Sequence, residues 1–279
     1  MKLLFDTVSG ICAKAVTQSY STSFASATKM LSPVIRQDIY NIYGFVRFAD
    51  EIVDSFHDYD KPVLFDRFEQ DLEFALIDKI SLNPILNAFQ ETVHRYGIER
   101  HLITAFMKSM RLDLSKSDYL TEAEYKDYIY GSADVVGLMC LTVFVQGDRK
   151  QFEELKESAM SLGSAFQKVN FLRDLKADFE GLSRTYFPDT NLAELDEASK
   201  QKIIEDIEAD FAKGLAGIHK LPVEAKFGVY TAYRYYRKLL KKLKRLPSAE
   251  IKNARVRVPD YVKVSLLARS YVKYRLNLI

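Results

Sequence analysis

The sequence has few of the residues that form disulfide scaffolds, metal clusters or nucleotide-binding loops. Only two cysteines, Cys12 and Cys140, occur among 279 residues, and neither they nor the four histidines have metal-ligand spacing. We therefore expect a reduced, intracellular chain whose cysteines are small core residues. No G-x-G-x-x-G or Walker-type loop is present, which argues against a Rossmann-type cofactor domain.

The chain also lacks an excess of charge and any long apolar run. Its 40 Lys and Arg residues nearly balance 38 Asp and Glu residues, so the sequence predicts no nucleic-acid partner. No stretch of 18 apolar residues occurs, and Asp6 interrupts the N-terminus before it reaches the length of a signal peptide. These observations predict a cytoplasmic protein that is soluble or at most peripheral at the inner surface of a membrane.

Glycine and proline are scarce, with 11 and 7 residues, and the alternation typical of β-strands is rare. Apolar residues instead recur at steps of three and four, which predicts an all-α protein. We find no internal repeat and no linker, so residues 1–279 are expected to form a single domain. The pattern predicts helices over 35–55, 62–78, 84–96, 99–114, 122–145, 150–179, 199–214 and 223–246, with a loop from Gly181 past Pro188.

Two short carboxylate pairs stand out in this helical chain. Asp50 and Asp54 form the first pair, Asp174 and Asp178 form the second, and both pairs have i, i+4 spacing. This spacing places both side chains of a pair on one helix face, one turn apart. Two such faces turned toward each other would surround a cavity with four acidic groups, which suits hard divalent cations that carry a phosphorylated substrate.

The neighbours of both pairs are polar groups on the same helix faces. Upstream of Asp174, Gln167 and Asn170 continue the stripe, and Arg173 lies beside it. Tyr43 and Arg47 precede the first pair in the same way. Arginine forms bidentate hydrogen bonds with diphosphate, while carboxylates hold Mg²⁺ whose other positions take diphosphate oxygens. The pattern indicates an ionisation reaction in which diphosphate leaves an allylic carbocation in a dry, aromatic pocket.

A single D-x-x-x-D pair also occurs by chance on many solvated helices. Two copies with Asn, Gln and Arg around them favour a metal site over that alternative, but spacing alone leaves both readings open.

The same residues resemble motifs of the squalene/phytoene synthase family, the head-to-head trans-prenyltransferases. Residues 47–54 are similar to the first aspartate-rich motif of that family, and residues 167–174 with Asp178 are similar to the second. Residues 184–188 resemble the segment that follows. Residues 21–24 resemble an S-x-S-F segment that contacts diphosphate, with Thr22 where lysine is common, and residues 128–137 resemble a further motif, with Asp134 in place of the usual glycine.

The resemblance implies an all-α isoprenoid synthase fold, a single helical bundle around a central cavity, and dependence on Mg²⁺, with Mn²⁺ as the alternative metal. It also implies two isoprenyl diphosphates as substrates and a cyclopropylcarbinyl diphosphate intermediate. The leading hypothesis is condensation of two geranylgeranyl diphosphates to phytoene. One alternative is a squalene or dehydrosqualene synthase acting on farnesyl diphosphate, with NADPH required only for squalene. An alternative of another class is a non-catalytic assembly or binding relative.

The resemblance also assigns roles to individual residues. The tyrosines Tyr43, Tyr128 and Tyr186 are expected to stabilise cations or guide proton transfer. The expected metal ligands are Asp50, Glu51, Asp54, Asn170, Asp174 and Asp178. The expected substrate-binding residues are Ser21, Ser23, Arg47, Gln167, Asn170, Arg173, Arg184 and Tyr186.

One strongly basic segment, residues 234–246, interleaves lysines and arginines with leucines and tyrosines. It is either a helix on a membrane surface or, as we favour, a helix that packs one face on the core and leaves its lysines in solvent. The oligomeric state is left open by the sequence.

Overall fold

The computed structural model describes residues 1–116, 119, 121–182, 187, 195–251 and 256–276, and for 176–182 it describes the backbone only. The described chain is helical, without a strand. One short π-helix, Tyr130–Asp134, lies among the α-helices. The α-helices are α1 Lys2–Tyr20, α2 Thr22–Thr28, α3 Pro33–Asp54, α4 Lys61–Asp78, α5 Pro84–Tyr96, α6 Arg100–Leu112, α7 Glu122–Ile129, α8 Val135–Phe144, α9 Arg149–Leu182, α10 Glu197–Ile218, α11 Val223–Arg245, α12 Ser248–Ile251 and α13 Asp260–Arg275.

Polar caps and prolines set several of these helix starts. Ser32 accepts a hydrogen bond from the Val34 amide, and Pro33 occupies the first helical position of α3. Asn83 caps α5 in the same way, and Gly97 ends that helix in the left-handed conformation, with φ of 69°. Seven of the eight predicted helices are found as single helices with ends within a few residues.

Two local predictions are wrong. Gly181 lies inside α9 rather than in a loop, because one glycine near the end of a 34-residue helix costs only about 1 kcal/mol, which packing can offset. Residues 122–145 do not form one regular α-helix, since the π-helix interrupts them. Helices α1, α2, α12 and α13 were not predicted at all.

The core surrounds α3, whose buried Phe45 stacks on Phe89 of α5 with ring centroids 4.0 Å apart. In the described part of the chain, Glu122–Phe144 is long and apolar enough to cross a membrane, but 67% of its most apolar window is buried inside the protein. A helix in the core of a bundle has this same composition.

The π-helix and α8 both approach α9 very closely, each at a glycine. A Cβ atom at Gly163 would lie 2.8 Å from the carbonyl oxygen of Ala133, and one at Gly137 would lie 2.9 Å from that of Ala159. Real Cβ atoms do not come this close, so the crossing requires glycine at both positions. Backbone atoms rather than side chains are therefore in contact where α9 meets the π-helix and α8.

The basic segment 234–246 belongs to α11. Its leucines Leu239, Leu240 and Leu243 are buried in the core, while Lys241, Lys244 and Arg245 are exposed. This is the packing that the favoured interpretation of the segment requires, since no apolar face of these leucines is left for a membrane.

Candidate active site

An apolar cavity of about 280 Å³ lies between α3, α8, α9 and α11. On α3 its lining begins at Ile39 and reaches Val46, and on α9 it begins at Leu155 and reaches Gln167. Asp50 and Asp174 follow Tyr43 and Gln167 by seven residues each, about 10 Å along either helix. Both acidic motifs thus continue the helix faces that line the cavity.

Tyr236 of α11 shows that the two motifs lie at the same end of the cavity. Its hydroxyl donates a hydrogen bond to Asn170 Oδ1 over 3.3 Å, and its ring stacks on Phe166 with centroids 4.1 Å apart. The same hydroxyl is close enough to Tyr43 to raise the pKa of that phenol. Tyr236 therefore connects the wall formed by α3 with the wall formed by α9.

On the first wall, Arg47 lies between the acidic motif and the N-terminal helices. Its guanidinium pairs with Asp50 and Glu51 and lies over the ring of Tyr20, 4.4 Å from the centroid. Its Nε atom is buried and has no hydrogen-bond acceptor among the described residues. A buried donor without an acceptor is costly, so this N–H is available for an anionic ligand. Asp54 lies one turn further along α3 and is half-buried.

On the second wall, Arg173 donates from Nε to Asp174 Oδ1 over 2.9 Å and pairs with the same carboxylate through a second nitrogen. Asn170, Arg173 and Asp174 are all half-buried, as is Gln167 at the cavity. The side chain of Asp178 and all of Arg184 and Tyr186 lie outside the described residues, so their roles stay predictions.

The N-terminal segment joins the first wall. Ser21 caps α2 by accepting a hydrogen bond from the Phe24 amide, and its hydroxyl hydrogen-bonds to Tyr43. Phe24 stacks on Tyr43 with centroids 4.8 Å apart. Ser23 is half-buried in the first turn of α2. The predicted serines are therefore at the cavity end that carries the acidic motifs.

A lysine from the far end of the chain supplies a cation to this segment. Lys263 of α13 donates to Thr22 Oγ1 over 2.7 Å and to Asp260 over 3.0 Å, and its side chain is only 12% exposed. In the family segment that residues 21–24 resemble, lysine is common at the position of Thr22. Lys263 brings an ammonium group from another helix to within hydrogen-bonding distance of Thr22.

Tyr43 is a neutral phenol at physiological pH. Burial raises its pKa to about 12, helped by Tyr236 and Asp50 and opposed by Arg47 and the hydrogen bond from Ser21. It can therefore donate a hydrogen bond or offer its aromatic face to a cation, but it does not ionise to a base near pH 7.

Tyr128 is placed differently from the other predicted site residues. Its hydroxyl donates to Asp113 Oδ2 over 2.9 Å, and its ring packs against Tyr119 and Phe171. It is buried and does not line the apolar cavity. Phe171 connects it to α9, one residue after Asn170, so its catalytic role stays a prediction.

Asp134, which replaces the usual glycine of its motif, faces away from the apolar cavity. Ser164 Oγ donates to its Oδ1 over 2.6 Å, and both residues line a second, polar cavity with Lys168, Asp206 and Asp210. Burial raises the pKa of Asp134 to about 6, which the Ser164 hydrogen bond opposes. The aspartate therefore leaves the apolar lining intact.

The donor set at the mouth of the apolar cavity fits a hard cation. Carboxylate oxygens of Asp50, Glu51, Asp54 and Asp174 and the amide oxygen of Asn170 are the ligand types that Mg²⁺ prefers. Within the described chain, no three acidic or histidine side chains converge closely enough to hold a metal by themselves.

Two residues of this site, Tyr236 and Lys263, were not predicted. Tyr236 was noted only as part of the basic segment, and nothing near Lys263 in sequence signals a site. Their contacts span 66 and 241 residues of chain, respectively. The sequence offered one signal for Tyr236, namely its place at the boundary between the apolar and the basic face of its helix.

Comparisons with known proteins identify the family of the chain. The squalene/phytoene synthase family matches residues 17–262. A phytoene synthase from Pseudescherichia vulneris is 26% identical over 80% of this chain and 79% of that protein. One from Arthrospira platensis is 27% identical over 94% of this chain and 92% of that protein. The chloroplastic phytoene synthase 2 of Zea mays is 32% identical over 68% of this chain and 46% of that protein.

Solved structures share the architecture. A dehydrosqualene synthase in complex with a ligand superposes with a TM-score of 0.82 at 19% identity, covering 97% of this chain and 98% of that one. A squalene synthase from Alicyclobacillus acidocaldarius gives a TM-score of 0.72 at 21% identity, over 85% of this chain and 93% of that one. The predicted isoprenoid synthase fold is confirmed, and the chain belongs to the squalene/phytoene synthase family of prenyltransferases.

Proposed function

We propose that the protein condenses two geranylgeranyl diphosphates head to head to phytoene, through a cyclopropylcarbinyl diphosphate and with release of diphosphate. One observation carries this proposal. The lining of the apolar cavity ends at Val46 on α3 and at Gln167 on α9, and the carboxylates of both motifs follow further along the same two helices. A prenyl tail in the cavity would place its diphosphate between α3 and α9.

The charged residues of the site are suited to holding the departing diphosphate. The buried Nε–H of Arg47 donates to it, and Arg173 and Lys263 add further positive charge. A bound Mg²⁺, held by Asp50, Asp54 and Asp174, would neutralise the charge that develops on the leaving group. Ser21 and Tyr236 donate hydrogen bonds at the same end of the cavity.

The aromatic residues at the mouth are suited to the carbocation that remains. The rings of Phe24, Tyr43, Phe166 and Tyr236 all line the cavity beside the acidic motifs. An aromatic face attracts positive charge, and an apolar wall excludes the water that would quench the cation. Because the Tyr43 phenol stays neutral, its ring and hydroxyl keep the same charge state during turnover.

The length of the cavity supports the longer substrate. From Gln167 to Leu155 the lining runs along α9 for about 18 Å. The curated relatives named above are phytoene synthases. A farnesyl tail is one isoprene unit shorter and would leave the end near Leu155 empty.

The test is product analysis by mass spectrometry after separate incubation with farnesyl and geranylgeranyl diphosphate, with and without Mg²⁺ and NADPH. We expect phytoene from geranylgeranyl diphosphate, in the presence of Mg²⁺ and without NADPH. Squalene or dehydrosqualene from farnesyl diphosphate as the main product would replace the proposed substrate with the shorter one.

The acidic motifs are tested by Asp50→Asn and Asp174→Asn, with Asp127→Asn on an exposed helix face as the control. Each site variant should abolish diphosphate release while leaving thermal unfolding nearly unchanged, because both side chains are half-buried and act on the ligand. Near-native rates in either variant would refute the metal assignment. No Mg²⁺-dependent diphosphate release from the unaltered protein with either substrate would instead favour the non-catalytic alternative.

A further inference from the structure

Helix α13 carries an apolar stripe on its outer face. Tyr261, Val264 and Val272 are 76%, 66% and 56% exposed, respectively. Their spacing of three and eight residues places them on one side of the helix, together with the exposed Ala268. An exposed side of this kind on a helix that ends a bundle is unusual unless something covers it.

The opposite side of α13 is fixed to the bundle. Tyr274 stacks on Phe227 of α11 with centroids 5.1 Å apart, Ser270 is buried, and Lys263 reaches Thr22 at the start of α2. The stripe is therefore held in a defined direction. It does not arise from a loose end of the chain.

Three cations flank the apolar stripe. Arg269, Lys273 and Arg275 are all exposed, whereas the fourth basic residue of the helix, Lys263, is engaged on the inner side. Asp260 is the only acid in α13 and pairs with Lys263. The exposed face thus combines aromatic and aliphatic side chains with a net positive charge.

We propose that the outer face of α13 docks on the surface of an anionic lipid bilayer. A helix in the plane of a membrane interface buries an apolar face and places Lys and Arg at the headgroups, while tyrosines favour the boundary between them. The exposed apolar residues Leu4, Val8 and Ile11 of α1 lie on a helix with two lysines and one acid, whereas α13 has four basic residues and one acid, so the positive charge is larger beside the α13 stripe.

The position of α13 gives this docking a consequence for the site, which rests on the proposed function. Thr22, the residue that Lys263 contacts, follows Ser21, whose hydroxyl reaches Tyr43 at the cavity. The helix that touches the lipid would therefore lie next to the end of the cavity where prenyl diphosphates enter. Membrane-partitioned tails would reach the cavity without crossing water.

The experiment is co-sedimentation of the full chain with vesicles of phosphatidylcholine alone or with added phosphatidylglycerol, in the absence of substrate. The face variant combines Tyr261→Ser, Val264→Ser and Val272→Ser, and its matched control combines Leu4→Ser, Val8→Ser and Ile11→Ser. The charge variant combines Arg269→Gln, Lys273→Gln and Arg275→Gln, and its control combines Lys108→Gln, Lys126→Gln and Lys150→Gln. Circular dichroism verifies that each variant is folded.

We expect the unaltered protein and both control variants to bind anionic vesicles equally well. The charge variant should bind about 100-fold more weakly, because each of three cations near an anionic surface contributes to the attraction. The face variant should lose binding, and turnover of detergent-dispersed substrate should be unchanged in both. Equal vesicle binding by the face variant and its control would overturn the proposal. A dimer of the unaltered protein that the face variant no longer forms in sedimentation velocity would also overturn it, because the face would then contact a second copy of the chain.

Failure of the two proposals can be told apart. Vesicle binding is measured without substrate, so it can be lost while phytoene still forms in detergent. Absent turnover with intact vesicle binding would refute the proposed reaction and leave the docking surface in place.

Discussion

The Tyr236 hydroxyl donates to Asn170 Oδ1 over 3.3 Å and joins α11 to the second acidic wall. The same side chain stacks on Phe166 and lies close to Tyr43 on the first wall. One tyrosine thus fixes the orientation of an amide expected to face the metal and contributes to the aromatic mouth of the cavity.

Replacing this hydroxyl tests its positioning role. We expect Tyr236→Phe to lower kcat/KM for the prenyl diphosphate about 2- to 10-fold, because a neutral hydrogen bond contributes ~0.5–1.5 kcal/mol. The adjacent Tyr235→Phe is the control, since Tyr235 is buried on another face of α11. Steady-state kinetics at several Mg²⁺ concentrations should show a higher metal requirement for Tyr236→Phe alone. Identical kinetics in the two variants would contradict the role.

Arg47 provides a test of bidentate binding. Arg47→Lys keeps the charge but loses the planar fork that pairs with Asp50 and Glu51 and the buried Nε–H. We expect kcat/KM to fall roughly 10- to 100-fold, since a charge-assisted hydrogen bond is worth ~1.5–3 kcal/mol. Arg100→Lys, in an exposed pair with Glu73, is the control and should be silent. An Arg47→Lys enzyme with wild-type KM and kcat would exclude the diphosphate contact.

Lys263 provides a test by compensation. Lys263→Gln should raise the KM for the prenyl diphosphate about 10-fold, because a charge-assisted contact beside Ser21 is lost. Adding Thr22→Lys to that variant should restore much of the affinity, because it returns an ammonium group to the same place. The exposed Lys241→Gln serves as the control. If the double variant has the same KM as Lys263→Gln, a positive charge beside residue 22 does not contribute to substrate binding.

Asp134 predicts a pH dependence of stability. Its pKa is about 6 in the folded protein and 3.8 when unperturbed, so the folded state prefers the protonated carboxyl. The contribution of Asp134 to the free energy of unfolding is fully present below about pH 3.8 and is lost as the pH rises through 6. The loss amounts to about 3 kcal/mol at most. Chemical unfolding of Asp134→Asn should therefore show a gain over the unaltered protein at pH 7.5 that disappears near pH 4.

Other charges near Asp134 must be controlled in that comparison. Asp210, Lys168 and Glu157 all act on its carboxyl, but they are present in both proteins and cancel in the difference. The exposed Asp127→Asn should leave the pH profile of unfolding unchanged. A pH-independent difference between Asp134→Asn and the unaltered protein would refute the raised pKa.

The sequence predicted those parts of the molecule whose signal is local. The i, i+4 carboxylate pairs, the capped start of α3 and the polar stripe from Gln167 to Asp174 each lie within one helix, so their spacing determines their geometry. Contacts between distant segments carry no such signal. Tyr236 with Asn170 and Lys263 with Thr22 arise from packing, and the π-helix at Tyr130–Asp134 reflects how α7 and α8 fit against α6 and α9.

The close backbone contacts of α9 at Gly163 and Gly137 make the geometry of the acidic motifs sensitive to substitutions at these glycines, far from the motifs themselves. Asp174 lies eleven residues beyond Gly163 on the same rigid helix, about 16 Å away. A side chain at Gly163 would clash with the Ala133 carbonyl and tilt α9. The tilt would move the Asp174 carboxylate relative to α3. Variation in tail length among relatives should therefore arise at the end near Leu155, where side chains can grow without moving the acidic walls.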